Sequence, residues 1–253
     1  MLRQMLMNKP SDDSARFKLR GKEVQRIESF SDGVFAFTVT LLVVSLEVPQ
    51  TFRELLDTMH DFLAFAVGFS ILVSIWYWQY QFFRRFGLTD RVTIFLNAAL
   101  LFMVLFYAFP LKFLWKLLFD ELLGYDTNIR LPDNTVRPRV EDADAPWIMI
   151  IYGLGFIAIN LVLALMYWHA YRKREELKLT LLEKFDTVSI IQTYLLSGLV
   201  ALISILVVVV GGNPAISLSG YSYFLLPIFI TIYRNWRGSR RRKLEEADPP
   251  PAD

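Results

Sequence analysis

Six stretches of this chain are apolar over the roughly 17–25 residues that a helix needs to cross the hydrocarbon core of a bilayer. They run from Ile27 to Val48, Phe62 to Phe83, Val92 to Phe109, Trp147 to Trp168, Val188 to Val210 and Ser217 to Tyr233. Lipid offers no partners to a backbone N–H or C=O, so such stretches read as α-helices that satisfy their own hydrogen bonds. The expected fold class is therefore all-α, an integral membrane protein with six transmembrane helices. Composition agrees: 54% of the 253 residues are hydrophobic, and the mean hydropathy is +0.37. The sixth stretch is the shortest and contains Pro227, which removes one backbone hydrogen bond. A buried soluble helix is the alternative there.

Charge placement orients the set. Nineteen Lys and Arg side chains flank one side: Arg16 to Arg26, Arg84 to Arg91, Arg172 to Lys184 and Arg234 to Lys243. Six flank the other: Arg53, Lys112, Lys116, Arg130, Arg137 and Arg139. Cytoplasmic connections carry the excess of basic residues, so both termini are expected in the cytoplasm, with the protein multi-pass in the cell membrane. All six tryptophans fall near expected helix ends, where indoles anchor at the interface. Residues 1–25 form a polar cytoplasmic segment without the pattern of a cleaved signal peptide, so the first span is expected to direct insertion. Residues 26–236 form the six-helix transmembrane domain. Residues 237–253 form a tail, first basic and then, in EEADPPPAD, acidic, proline-rich and expected to be disordered. The long outer connection from about Leu117 to Pro146 is rich in acids, which solvate it.

Several chemistries are excluded or unsupported. The net charge is only +2, which argues for neither nucleic acid nor acidic substrates. There are no cysteines, so disulfides and thiolate chemistry are out. His60 and His169, the two histidines, belong to opposite sides of the membrane and cannot share a metal. No catalytic residues, metal site or cofactor is expected, and no nucleophile or phosphate-loop motif is present. A secondary transporter would need ionisable groups deep in the spans and broken helices in paired positions, and Pro227 has no counterpart in the first half. There is also no T-V-G-Y-G filter, so a pore would be lined by the side chains of whole helices.

The first span is unusual in beginning with Arg26, Glu28, Ser29, Ser31 and Asp32. At 3.6 residues per turn, Phe30, Gly33, Phe37, Thr40 or Leu41, and Val44 share one stripe. Asp32 lies about 140° round the axis from Phe37. Two readings of Asp32 stand: a hydrated interfacial carboxylate, or a partner, with Ser31, of Arg84, Arg85 or Arg91 in the adjacent connection. Thr40 also has two readings. Its hydroxyl bonds back to the preceding turn, or it serves the stripe.

Arg26, Phe30, Ser31 and Asp32 spell R-x-x-x-F-S-D at the start of a first span, continued by GVFAFTVTLLV. The third span, DRVTIFLNAALLFMVLFYAFPL, carries Asn97 within D-R-x-x-x-x-L-N and ends on Phe109 and Pro110. On these motifs the chain resembles the transmembrane protein 175 family, the lysosomal potassium channel and its prokaryotic relatives, from about Arg26 to Pro110. The resemblance implies a homotetramer in the lipid bilayer, with a central pore lined by four first helices and passive conduction selective for potassium ions, or at least for cations. It implies that Phe37, Leu41 and Val44 form the pore constriction, Thr40 the selectivity layer, and Arg26, Phe30, Ser31, Asp32 and Asn97 a structural motif. Phe37 is bulkier than the isoleucine or leucine usual at its place. Family members commonly carry a histidine three residues after a tryptophan in the second helix; here Trp78 is followed by Gln81, an amide that cannot charge. A secondary transporter and a proton-permeable channel are the alternatives.

Overall fold

The computed structural model describes residues 17–44, 50–124, 128–130, 135–141 and 143–247. Its helices are α1 (Arg26–Val44), α2 (Phe52–Phe86), α3 (Arg91–Leu122), α4 (Ala145–Arg172), α5 (Leu181–Gly211), α6 (Ile216–Phe224) and α7 (Leu226–Ala247). Between α3 and α4, β1 (Asn128–Arg130) pairs antiparallel with β2 (Val136–Pro138). Four segments are long and apolar enough to cross a membrane: Phe62–Phe86, Arg91–Glu121, Ala145–Arg172 and Leu181–Gly211. The architecture is that of an all-helical, multi-pass membrane protein.

The described helices number seven, where six were expected, because the sixth apolar stretch is broken. Helix α6 ends at Phe224, Leu225 turns, and α7 begins at Leu226. Pro227 explains the break: it has no N–H for the carbonyl four residues back, and its ring crowds that carbonyl. At the second position of α7 the missing N–H is no loss. Helix α7 then continues to Ala247, so the basic run Arg237 to Lys243 is helical. Residues 248–253, the rest of the acidic tail, lie outside the described residues, as do 45–49, where the first span was expected to finish. Pro110 does not break α3, which runs on to Leu122. The Tyr152 hydroxyl of α4 donates to the Pro110 carbonyl.

Packing is closest between α4 and α5, with α3 laid on α4, and α1 on α2 and α3. The inner core is aromatic. Phe82 and Phe86 of α2 meet the Tyr167 ring edge-on, with centroids 5.3 and 5.6 Å apart, a geometry in which ring edge and face attract.

The segment before α1 is tied down. Phe17 is buried edge-on against Phe86. The Arg20 and Gly21 amides each donate to the Arg84 carbonyl at 3.1 Å, and the Arg84 guanidinium returns a bond to the Gly21 carbonyl. A side chain at position 21 would start 2.4 Å from the Phe83 oxygen, so only glycine fits there. Arg20 forks onto Glu183 at 2.9 and 2.8 Å and also reaches the Leu177 carbonyl at 2.9 Å. Glu183 is 2% exposed and closes the capping box of α5 with Thr180, satisfying two orphan amides at that helix start.

Asp90 does a similar job for α3. Its carboxylate caps the helix by accepting from the Val92 and Thr93 amides at 3.0 and 3.1 Å. His169 Nε2 lies 3.0 Å from both carboxylate oxygens, and Lys173 Nζ lies 3.3 Å from one. Partial burial alone would raise its pKa; the bonds from His169 and the Thr93 amide, the His169 charge and Lys173 outweigh this and hold it well below the usual carboxylate range. The sign follows from linkage: a depressed folded-state pKa gives stability that is fully present above the unfolded-state value of about 4 and is lost as pH falls below it. Asp90→Ala should cost about 1 kcal/mol from the lost cap alone. Thermal unfolding in detergent should show the variant's deficit at neutral pH and its shrinkage as the pH is lowered below about 4.

Candidate pore helix

Helix α1 has two unlike faces. Ser31, Phe35, Thr38 and Leu42, at spacings of four and three, are buried against the rest of the bundle. Phe30, Gly33, Phe37, Thr40 and Val43 are exposed, with Phe30 at 65% and Phe37 at 58%. The stripe read from helical periodicity is thus the bare face of the helix in the single chain, with Leu41 half-buried at its edge. Val44 ends the helix, and its side chain is outside the described residues.

The buried face is fastened by a chain of hydrogen bonds through three helices. The Gln79 amide of α2 donates to Asn97 Oδ1 of α3, and Asn97 Nδ2 donates to Ser31 Oγ of α1 at 2.9 Å. Ser31 in turn gives its proton to the Ile27 carbonyl at 2.8 Å. All three side chains are buried and all are partnered. One residue along, Asp32 accepts from the Trp76 indole at 2.7 Å.

Of the two readings of Asp32, the one that paired it and Ser31 with an arginine does not hold: Ser31 meets Asn97 and Asp32 meets Trp76. Depth is the reason. Trp76 precedes Arg84 by eight residues, about 12 Å along α2, and the Arg84 guanidinium is bonded to the Gly21 carbonyl. The family's spacing of a tryptophan and a second residue three positions on occurs twice here, each time with glutamine in place of histidine: Trp78 with Gln81 and Trp76 with Gln79. The structure brings the second pair to α1. Neither Trp76 nor Gln79 was singled out by sequence reasoning; the repeated spacing was the available signal. Arg26 is exposed at the first position of α1.

Both threonines of α1 bond back to their own helix. Thr38 Oγ1 donates to the Val34 carbonyl at 2.8 Å, and Thr40 Oγ1 to the Ala36 carbonyl at 2.9 Å. They differ in surroundings, since Thr38 is buried and Thr40 exposed. Near the C-terminal end of α1, Lys112 Nζ approaches the Leu42 carbonyl at 3.4 Å. His169 binds Asp90, while the side chain of His60 is outside the described residues. Among the described residues no three His, Asp or Glu side chains converge as metal ligands would.

The fold and this first helix, locked on one side and bare on the other, define an all-helical, multi-pass membrane protein. Comparison with known proteins gives the family. Residues 26–107 match the family described as endosomal/lysosomal potassium channel TMEM175. A protein of Marivirga tractuosa named potassium channel is 42% identical over 234 residues, covering 91% of this chain and 94% of that one. A solved structure of a threonine-to-alanine variant of the potassium channel MtTMEM175, bound to a nanobody–MBP fusion, superposes with a TM-score of 0.76 at 38% identity. It covers 88% of this chain and 97% of its own. The lysosomal potassium-selective channel TMEM175 homolog from Chamaesiphon minutus gives 0.53 at 26% identity, covering 83% and 97%. The chain belongs to the TMEM175 potassium-channel family.

Asn97 is the junction of the buried chain, so Asn97→Ala would leave Gln79 without its acceptor and Ser31 without a donor. Each such buried group costs about 1–3 kcal/mol. The expected outcome is a lower thermal midpoint in detergent and less assembled protein on size exclusion; an unchanged midpoint would show that the three side chains find other partners.

Proposed function

We propose that the chain is a potassium-selective channel in which four copies of α1 surround a central pore. Phe37 is the constriction of the shut pore, and Leu41 and Val44 continue the lining. The observation that carries this reading is the stripe itself. A helix whose opposite face is fixed to α2 and α3 presents Phe30, Phe37 and Thr40 with no cover from the described residues of its own chain. Rotational symmetry about that stripe supplies a cover from identical neighbours. The relatives named potassium channels support the ion assigned to it.

In this reading α1 and the broken α6–α7 pair complete six crossings, and the excess of basic residues on one side places both termini in the cytoplasm of a cell-membrane protein. Conduction is passive. Arg26, Phe30, Ser31, Asp32 and Asn97 serve fold and assembly: Ser31, Asp32 and Asn97 bond to neighbouring helices rather than to the stripe.

The two readings of Thr40 are compatible. Its proton is committed to the Ala36 carbonyl, which leaves the oxygen lone pairs for the exposed side. A hydroxyl held in this way can only accept, as a cation or the water of a partly dehydrated cation requires. Four such oxygens form a ring one turn above Phe37.

Two variants test the assignment in reconstituted liposomes. Phe37→Ala removes the bulky ring midway along the stripe and should raise basal potassium current, since an apolar ring blocks ions by dewetting; an assembled variant that conducts no more than the parent moves the constriction elsewhere. Thr40→Val keeps the shape and removes the hydroxyl, so bi-ionic reversal potentials should show severalfold weaker discrimination of potassium over sodium. Equal selectivity in variant and parent rejects the ring.

A further inference from the structure

Helix α7 is held in one rotational setting by α5. The Tyr233 hydroxyl donates to Gln192 Oε1. Arg237 Nε donates to Ser189 Oγ at 2.8 Å while its guanidinium lies 3.8 Å from the Phe185 ring centroid. Arg241 Nε reaches Asp186 at 3.0 Å. These three follow one another at four-residue steps, so they share a face.

Roughly 100° round the axis, Phe229, Ile232, Trp236, Arg240 and Lys243 make a second stripe, and every one of them is exposed. Its chemistry changes in order along the helix, from apolar through indole to cation, within about 16 Å of axis. That is the order of hydrocarbon, interface and headgroup met on leaving a bilayer. The Arg240 guanidinium lies 4.2 Å over the half-exposed Trp236 ring. The end of α4 repeats the arrangement: Trp168 is 48% exposed, and Arg172, four residues on, lies 5.1 Å over its ring. Arg241 has acidic partners in Asp186 and Glu245, whereas Arg240 and Lys243 have none among the described residues.

We propose that this stripe of α7 is a docking site for anionic phospholipid. Arg240 and Lys243 hold the headgroup phosphate below Trp236, while Phe229 and Ile232 lie against the acyl chains. Charge and polarity both select this occupant. The acidic end of the chain, from Glu245 onward, would match the two cations but not the apolar residues continuous with them. A second copy meeting the stripe across a two-fold axis would set like charge against like. The proposal rests on the protein's lying in a membrane and on neither potassium selectivity nor the tetramer.

The test titrates phosphatidylglycerol, or phosphatidylcholine with the same acyl chains, into the purified full-length protein in neutral detergent and follows its thermal midpoint. The parent should be stabilised by phosphatidylglycerol at lower concentration than by phosphatidylcholine. Each cation near a lipid surface contributes about a fivefold gain in affinity, so Arg240→Gln with Lys243→Gln should weaken the phosphatidylglycerol response by about 25-fold and leave the phosphatidylcholine response in place. Arg234→Gln with Arg242→Gln removes the same charge off the stripe and should keep the parental preference, as should Arg240→Lys. The proposal is overturned by a parent that does not distinguish the two lipids or by a stripe variant with the parental response. It is equally overturned by off-stripe variants weakened to the same degree, by inorganic phosphate reproducing the shift, or by a preference that disappears when residues 245–253 are removed.

Discussion

The buried bond chain from Gln79 through Asn97 to Ser31 decides how α1 stands in the bundle. In a membrane interior a polar side chain without a partner is expensive, and these three satisfy one another across three helices. The arrangement has a directional consequence. Apolar contact between helices is tolerant of rotation, because one methyl replaces another, whereas a hydrogen bond between two side chains specifies which faces meet. Ser31 turned toward Asn97 puts Phe35, Thr38 and Leu42 inside and leaves Phe30, Phe37 and Thr40 outside. The bare stripe is the geometric complement of the bond chain, and the Asp32–Trp76 bond fixes the same rotation a second time.

Much of this was legible before any coordinates. The apolar spans stand out because lipid demands long uninterrupted runs, and the α1 stripe follows from the 3.6-residue period. Pro227 marked the weak span, although whether a proline kinks or splits a helix depends on what surrounds it: Pro110 sits within continuous α3, and Pro227 opens α7. Partner identity was harder. Ser31 and Asn97 could be picked out, but Trp76 and Gln79 could not, because the choice between two equally spaced pairs on α2 depends on that helix's rotation against α1. The arginine reading of Asp32 failed on depth, a coordinate that composition does not contain. The segment from Phe17 to Lys22 was read only as a polar flank, since the contacts that tie it to α2 and α5 are made with residues more than sixty positions away.

Support at the N-terminal end of α1 is layered. Gly21 rests on the last turn of α2, Asp90 starts α3 and reaches α4, and Arg20 ties the segment before α1 to the start of α5. The root of the candidate pore helix is therefore connected through hydrogen bonds to α2, α3 and α5, and through α3 to α4. At the C-terminal end of α1, Lys112 of α3 reaches the Leu42 carbonyl at 3.4 Å.

Glu183 is where two of these supports coincide. One carboxylate closes the capping box at the start of α5 and receives both arms of Arg20, and it also accepts the Lys18 amide at 2.9 Å. An ordinary ion pair can be inverted over evolutionary time, acid and base changing places through compensating substitutions. This one cannot, because a guanidinium at 183 would have no lone pair for the backbone amides of Thr180 and Lys18. The polarity of the joint is written into the backbone on either side of it, which makes glutamate at this place a one-way choice.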